Sequence, residues 1–239
     1  MAGDVSATRP RRIPEATVVR LPVYQRILAD LLRNGTRTVS SEELATRARV
    51  NAAKVRKDFS LLGWFGTRGT GYDTAYLATQ IDRVLGADRD WPVAIVGIGN
   101  LGRALANSQG FSSHGFRVAW LFDSDPAVVG LAVAGTTVRD VAHLPVVLDG
   151  IRPAIGVVAT PPSAAQTVAD ALVAAGVGAI LNFAPRLLTV PPGTMVRSVD
   201  LSIELQVMSF HLSQRAAGSA PADVDGDVDG DFQPSARWS

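Results

Sequence analysis

The sequence predicts an α/β protein with an N-terminal winged helix-turn-helix domain and a C-terminal Rossmann-like domain that contains a doubly wound parallel sheet. Three observations predict this fold. Residues 15–63 carry three helical patterns, the third of them basic; residues 64–72 are rich in glycine; and from Val93 onward short apolar strands alternate with helices. The 239 residues, 47% of them hydrophobic, suffice for one ordinary core and a smaller second one.

Composition limits the classes of function. Cysteine is absent, which excludes disulfides and cysteine zinc sites and suits a reducing compartment. Residues 1–80 hold 13 basic against 7 acidic side chains (net +6), and the remainder holds 10 against 15 (net −5). This segregation predicts a polyanion such as DNA as the partner of the first domain, with a solvated cationic surface as the alternative. Because no apolar run is long enough to span a bilayer, we expect a soluble, cytoplasmic protein without a membrane partner.

The first domain is predicted to contain three helices. Pro22 is expected to open the first, which ends at Asn34-Gly35. Ser40 and Glu43 have the spacing of a capping box and open the second helix. After a tight turn, the third helix continues to about Leu62. Helices in this order form a helix-turn-helix core.

The third helix and the segment after it are the candidate DNA-binding elements. Lys54, Arg56 and Lys57 are expected to contact phosphates or guanine edges in the major groove, and Asp58 to orient one of these cations. Residues 64–72 are expected to form a two-stranded wing whose Arg68 reaches the minor groove. A connecting helix over 74–90 then leads to a boundary at Trp91-Pro92.

The second domain is read from five short apolar strands separated by helices. Such strands are typical of a parallel sheet that is covered on both faces. The predicted strands are 93–96, 118–122, 156–159, 179–182 and 195–199.

A glycine-rich turn between the first of these strands and a helix is the candidate cofactor site. It reads Gly97-Ile98-Gly99-Asn100-Leu101-Gly102, in which Gly97 permits the turn, Gly99 lets the backbone approach a pyrophosphate, and Gly102 allows close packing of helix on strand. Asp123 ends the next strand, 26 residues after Gly97, where a carboxylate would bind the adenosine ribose and repel a 2′-phosphate. The pattern predicts NAD(H). Asp125 competes for the role, although capping of a turn explains it better.

Thr160-Pro161-Pro162 follows another strand at the end of the sheet where ligands bind, so Thr160 and Pro161 are expected to line the groove, with a plain tight turn as the alternative. We predict no catalytic residue and no metal site. The chain has two lysines, Lys54 and Lys57, both in the basic helix, and three histidines, His114, His143 and His211, that suit structural or exposed positions better.

The last helix, over 201–214, is apolar on two sides, which predicts that its own domain covers one side and a partner subunit the other. Packing wholly within its own domain is the alternative. Residues 216–239 offer little to a core and predict a disordered acidic tail. The predicted organisation is a flexible N-terminus (1–14), a winged-helix domain (15–80), an NAD(H)-binding domain (81–200), a dimer helix (201–215) and the tail (216–239).

Several of these motifs, in this order, resemble the Rex family of redox-sensing transcriptional repressors. They are Val55-Arg56-Lys57-Asp58, residues 66–72, Gly97–Gly102, Thr160–Ser163, Leu181–Pro185 and Val199-Asp200-Leu201. The resemblance implies a homodimer with a domain-swapped C-terminal helix that binds operator DNA with NAD⁺ and releases it when NADH accumulates.

The resemblance also bears on three further residues. Arg20 and Asp200 look like an arginine and a carboxylate that pair in one arrangement of the family's domains. Independently of the family, we hypothesise that Leu201 and its neighbours, inserted from the partner subunit, pack near the reduced nicotinamide ring. Ser108 stands where the family often has a tyrosine.

Three other functions remain as alternatives to a redox-sensing repressor. They are an NAD(H)-dependent oxidoreductase, a winged-helix regulator that senses another nucleotide such as coenzyme A or NADP(H), and a scaffold that does not bind DNA.

Overall fold

The structure is a computed structural model that describes residues 13–64, 66–67, 71–150 and 155–216. The chain divides into two compact units, Met1–Asp88 and Arg89–Ser239. The division falls between the domain limit expected at residue 80 and the boundary expected at Trp91-Pro92, because the helix Thr74–Leu85 packs on the first helix of unit 1. The N-terminal segment 1–12 and most of the predicted tail, 217–239, lie outside the described residues.

Unit 1 is helical. Its helices are α1 (Glu15–Arg33), α2 (Ser41–Ala48), α3 (Ala52–Leu61) and α4 (Thr74–Leu85). The prediction that Pro22 opens α1 is wrong, since the helix begins seven residues earlier at Glu15 and Pro22 lies inside it. Pro22 has no N–H to donate within the helix, but burial of side chains on both sides of it offsets this loss. Thr17 and Leu21 before Pro22 are buried on the same side of the helix as Tyr24 and Leu28 after it.

The capping residues of α2 and α3 position the helix-turn-helix. The hydroxyl of Ser40 accepts from the N–H of Glu43 at 3.0 Å, as the capping box predicts, and the side chain of Asn51 accepts from the N–H of Lys54 at 2.7 Å. Between the helices Arg49 adopts a left-handed conformation with φ 55°. The two helices thus meet through a short turn.

Part of the predicted wing, residue 65 and residues 68–70 with Arg68, lies outside the described residues. Within the part that is described, an antiparallel bridge joins Thr67 to Gly71. The sequence reading missed the strands β1 (Thr38–Val39) and β2 (Tyr72–Asp73), which pair antiparallel and tie the base of the wing to the segment before α2. Strands of two residues leave no readable alternation in a sequence.

Unit 2 contains a seven-stranded sheet. Its strands, in chain order, are β3 (Trp91–Val96), β4 (Phe116–Asp123), β5 (Ala132–Val133), β6 (Thr136–Asp140), β7 (Ile155–Val158), β8 (Ala179–Asn182) and β9 (Met195–Ser198). Their spatial order is β5-β6-β4-β3-β7-β8-β9, and every pair is parallel except β5 with β6. All five predicted strands are present, whereas the pair β5 and β6 was not predicted.

Helices follow the strands, and the sheet is covered on both faces. They are α5 (Asn100–Ala106), α6 (Gln109–Ser112), α7 (Leu144–Val147), preceded by a 3₁₀ turn at Val141–His143, α8 (Pro162–Ala174) and α9 (Leu201–Ala216). Along β3, Ala94 and Val96 belong to one buried cluster and Val93 and Ile95 to another. The predicted doubly wound sheet is confirmed.

The last helix, α9, has no cover within the described residues. Its large apolar side chains are 42% (Ile203) to 70% (Leu201) exposed. The expectation that its own domain covers one side is therefore wrong, and so is the alternative of full packing within that domain. A 16-residue helix with this composition gains little from propensity alone and needs an external surface to pack against.

In the part of the chain that the structure describes, no helix is both long and apolar enough to cross a membrane. Within the same residues, no group of three or more His, Asp or Glu side chains is placed to hold a metal ion.

Candidate functional site

A cleft of about 880 Å³ opens at the carboxyl ends of the parallel strands of unit 2. It lies where β3 separates β4 on one side from β7 on the other, the point at which the strand order of such a sheet reverses and ligands bind. Among the lining residues are Gly97, Gly99, Asp123, Thr160 and Phe183. Residues that follow β3, β4, β6, β7 and β8 all contribute to its wall.

Three glycines shape the floor of the cleft. Gly97 has φ +95°, and a Cβ there would come within 2.6 Å of the carbonyl oxygen of Ala159. A Cβ on Gly102 would overlap the carbonyl oxygen of Gly97, whereas one on Gly99 would meet nothing within 4 Å. Gly97 and Gly102 are thus required by the protein itself, while the backbone at Gly99 leaves open space that a ligand can approach.

The carboxylate of Asp123 is fixed at the edge of this turn. One oxygen accepts from the N–H of Ile98 at 2.6 Å and the other from the N–H of Asp125 at 2.9 Å. Each oxygen has a second lone pair, so the group can still accept hydrogen bonds from a ligand's hydroxyls. Asp125 accepts from the N–H of Ala127 at 2.8 Å, which is the turn-capping role that the sequence favoured.

The structure brings seven of the nine predicted cofactor-binding residues to the cleft. These are Gly97, Ile98, Gly99, Leu101, Asp123, Thr160 and Pro161. Asn100 and Gly102 are not among the lining residues; Gly102 is buried, and Asn100 is exposed in the first turn of α5. The hydroxyl of Thr160 is buried without a hydrogen-bond partner on this wall, where a ligand could satisfy it.

Sequence reasoning missed the apolar side of the cleft. Val128, Val141 and Ala142 line it after β4 and β6, and Val168 and Ala171 line it from α8. Val141 and Ala142 directly follow β6, so predicting this strand would have placed them at the cleft. The strand was missed because its sequence, Thr-Thr-Val-Arg-Asp, has one apolar residue among four polar ones. Phe183 and Pro185 complete the wall after β8.

The second candidate site is the surface of α3 in unit 1. Ala53, Arg56, Lys57 and Ser60 are exposed at helical spacing, whereas Lys54 is half-buried. Nη1 of Arg56 donates to the hydroxyl of Ser41 at 3.0 Å and to the carboxylate of Glu42 at 2.9 Å. Its own backbone N–H, the Ser41 hydroxyl and Arg56 all lower the pKa of Glu42, so they favour the charged form of this carboxylate.

Asp58 does not orient any of the basic side chains of α3, contrary to the prediction. It lies on the buried side of the helix with Val55 and Phe59 and is 1% exposed. Its carboxylate accepts hydrogen bonds from Thr17 at 2.9 Å, from Arg20 at 2.6 and 2.7 Å, and from Tyr24 at 2.9 Å, all on α1. A buried carboxylate requires such partners, so Asp58 fixes α3 against α1.

Arg20 and Asp200, which the family resemblance pairs, each have partners within their own unit. Arg20 holds Asp58, whereas one oxygen of Asp200 accepts from the N–H and the hydroxyl of Ser202 at 2.9 and 2.6 Å and so begins α9. Ser108 is half-buried and precedes α6. Leu201 is the first residue of α9.

Comparisons with known proteins decide the family. Residues 12–60 match the family described as "Putative DNA-binding protein N-terminus", and residues 88–186 match the "CoA binding domain" family. The chain is 57% identical to the redox-sensing transcriptional repressor Rex of Streptomyces griseus, over 97% of this chain and 91% of that protein. It is 45% identical to the Rex repressor of Desulfitobacterium hafniense, over 86% of this chain and 98% of that one. The chain belongs to the Rex family.

Solved Rex structures share the fold of this chain. The Rex-family repressor RSP, in complex with β-NAD⁺ and operator DNA, superposes with a TM-score of 0.81 at 35% identity over 87% of this chain and 95% of that one. RSP in complex with β-NADH gives a TM-score of 0.78 over 86% and 97%. The predicted family and fold class, a DNA-binding N-terminal domain followed by a Rossmann-like domain, are thus confirmed.

Proposed function

We propose that this chain is a transcriptional repressor that senses the ratio of NADH to NAD⁺. The observation that carries the proposal is the cleft of unit 2, in which open backbone at Gly99 lies beside a fixed carboxylate, Asp123. The same chain presents a basic helix-turn-helix surface. The relatives that support the proposal include a Rex-family repressor whose structures hold β-NAD⁺ with operator DNA, and β-NADH.

The residues of the cleft suit a dinucleotide. The backbone at Gly99 would approach the pyrophosphate, Asp123 would accept hydrogen bonds from the adenosine ribose, and the apolar side formed by Val128, Val141 and Ala142 would cover the adenine. The unpaired hydroxyl of Thr160 offers one further hydrogen bond. The cofactor supplies a nicotinamide whose charge differs between its oxidised and reduced forms.

Operator binding is assigned to unit 1. Lys54, Arg56 and Lys57 of α3 would contact double-stranded DNA in the major groove, and Arg68 the adjacent minor groove. An operator with two half-sites, separated by one turn of the DNA helix or a multiple of it, requires a homodimer so that each subunit binds one half-site. We infer that α9 completes this homodimer by packing on the partner subunit, since it leaves large apolar side chains such as Leu201 exposed.

The switch requires two arrangements of the subunits that bind NAD⁺ and NADH with different affinity. Operator DNA would be bound with NAD⁺ or without cofactor and released with NADH.

Pairing of Arg20 with Asp200 would require Arg20 to leave its present partner, Asp58, or to bind both carboxylates. Ser108 cannot make the phenol contact available to a tyrosine there. We expect the protein in the cytoplasm, because a repressor of this kind would respond to the intracellular NADH pool.

We propose no catalytic role. Within the described residues, the ionisable side chains that line the cleft are Asp123 and Asp125, and both already accept backbone N–H groups. A dehydrogenase needs a proton-transfer group beside the nicotinamide. Steady oxidation of NADH with small carbonyl substrates would contradict the proposal and favour an oxidoreductase.

A second candidate ligand is coenzyme A, which the match of residues 88–186 to the CoA-binding family favours. Coenzyme A carries a phosphate on the adenosine ribose, as NADP(H) does, and Asp123 would repel either. Calorimetric titration with NADH, NAD⁺, NADPH and coenzyme A is expected to rank NADH first. Asp123→Asn is expected to reduce the ratio of NADH affinity to NADPH affinity. An unchanged ratio would show that Asp123 does not determine which of the two binds.

Operator binding is tested by a gel shift on DNA upstream of the protein's own gene, with NAD⁺ and NADH added separately. A specific complex that persists with NAD⁺ and disappears with NADH is expected. Retention of the complex at saturating NADH would reject the proposed switch, and the absence of any specific complex would reject this operator.

A further inference from the structure

The ion pair between Arg56 and Glu42 joins the two helices of the helix-turn-helix at their exposed side. Arg56 belongs to the solvent-facing stripe of α3, and Glu42 to the first turn of α2. Both contacts of the Arg56 guanidinium, to Glu42 and to Ser41, are made through Nη1. Among the described residues, no hydrogen bond occupies its Nε and Nη2 edge.

The pair contributes little to stability. The side chains of Arg56 and Glu42 are 53% and 69% exposed, and ion pairs this exposed to solvent stabilise a fold little. Packing of α2 on α3 is instead provided by buried apolar side chains, among them Leu44, Val55 and Phe59. A carboxylate on a surface that binds polyanions would moreover weaken that binding. Glu42 therefore suits another role.

Its effect on Arg56 suggests what that role is. The carboxylate offsets the charge of the guanidinium and, with Ser41, restrains a long side chain that is otherwise free to adopt many rotamers. Attraction to phosphate depends on charge, whereas readout of a guanine depends on two directed donors. Because Glu42 offsets the charge of Arg56 but leaves its Nε and Nη2 donors available, it weakens the attraction to phosphate and does not hinder the readout of a guanine.

We propose that Glu42 is a specificity-determining residue, which pairs with Arg56 so that Arg56 contributes to the readout of a guanine in the operator more than to general attraction to DNA. This inference rests on the proposed DNA-binding function. Glu42 is a positioning residue in this account and touches no base itself.

The neighbouring Glu43 offers a matched control. It lies in the same turn of α2, carries the same charge and forms an ion pair with Arg47 at 3.0 Å, within α2 itself. Glu42→Gln and Glu43→Gln each remove one negative charge from the same turn. The first alters the partner of Arg56, whereas the second leaves that pair intact.

The experiment measures affinities for two duplexes across a range of salt concentrations. One duplex is selected by the wild-type protein from a random library, and the other is its scrambled sequence. Glu42→Gln is expected to tighten binding to the scrambled duplex, to steepen its salt dependence by about one unit of slope, and to lower the discrimination ratio about fivefold to tenfold. Glu43→Gln is expected to leave the ratio unchanged. In an Arg56→Ala background, Glu42→Gln is expected to have no further effect on the ratio.

An unchanged ratio in Glu42→Gln, or an equal fall in both single variants, would overturn the inference, because general charge would then explain the result. Persistence of the Glu42→Gln effect in the Arg56→Ala background would overturn it too. Failure of the proposed function is a different outcome: the wild-type protein would itself fail to distinguish the two duplexes.

Discussion

At the scale of single residues, the glycines of the nucleotide cleft separate folding from binding. A side chain at Gly102 would collide with the backbone of Gly97, so this position is needed to bring α5 onto β3. The position of Gly99 is conformationally ordinary, with φ −71°, and spatially open. The sequence motif predicts a packing role for Gly102 and a ligand role for Gly99; the structure shows the close packing at Gly102 and open space at Gly99, where the proposed ligand would approach.

This difference predicts opposite results for two similar variants. Gly102→Ala should lower the free energy of unfolding of unit 2 by about 1–3 kcal/mol, because the added methyl overpacks the turn. Gly99→Ala should leave that free energy unchanged while weakening NADH binding by about tenfold or more, which is about 1.4 kcal/mol or more. Urea unfolding and calorimetric titration of both variants check these results. Equal NADH affinity in Gly99→Ala and the wild type would contradict the proposed path of the pyrophosphate.

A second residue-scale prediction concerns pH. Burial, and then Asp58, raise the pKa of the Tyr24 phenol well above its ordinary value of about 10. The folded state therefore prefers the neutral phenol, and its stabilising contribution is complete below about pH 10 and is lost above it, by about 1.4 kcal/mol per pH unit. The difference in unfolding free energy between the wild type and Tyr24→Phe should be constant up to about pH 9 and shrink above 10.

The measurement is urea unfolding of unit 1, followed by the fluorescence of the buried Trp64 after the other three tryptophans are changed to phenylalanine. A difference between the two proteins that stays constant from pH 8 to 11 would show that Tyr24 ionises as easily in the folded state as in the unfolded one.

At the scale of elements, the parts that could be predicted are those with long periodic patterns or capping residues. The three helices of the helix-turn-helix and the five parallel strands were predicted in this way. Strands β1 and β2 were missed because each has two residues, and the start of α1 was misplaced because Pro22 is tolerated through tertiary packing. The glycine motif predicted the floor of the cleft, while its apolar side depends on β6 and could not be read locally.

The helix α9 carries the element-scale prediction. Because its apolar side chains have no cover within the described residues, we expect Leu205→Lys to weaken the proposed homodimer and Gln214→Lys, a polar position on the same helix, to leave it intact. Sedimentation analysis over a concentration series should show dissociation at higher concentration in the first variant. Identical sedimentation of both variants and the wild type would mean that α9 does not hold the subunits together.

At the scale of the whole molecule, the proposed switch couples the binding of two ligands, cofactor and operator DNA, through one dimer. Thermodynamic linkage requires that, if NADH lowers the affinity for operator DNA, operator DNA lowers the affinity for NADH by the same factor. The operator should therefore weaken NADH binding more than NAD⁺ binding. Calorimetric titration of the protein with each cofactor, with and without the operator, checks this reciprocity; equal effects on both cofactors would leave the protein without a redox response.

The central claim is that the ligand in the cleft controls the affinity for operator DNA. It is tested most directly by fluorescence anisotropy titration of labelled operator DNA with the wild-type protein and with Gly99→Ala. Each protein is titrated at saturating NAD⁺ and over a range of NADH concentrations. NADH is expected to lower the affinity of the wild type for the operator at least about tenfold. Gly99→Ala should bind the operator normally but respond only at higher NADH. Unchanged operator affinity of the wild type, at NADH concentrations shown calorimetrically to fill the cleft, would show that occupancy of the cleft by NADH does not control DNA binding.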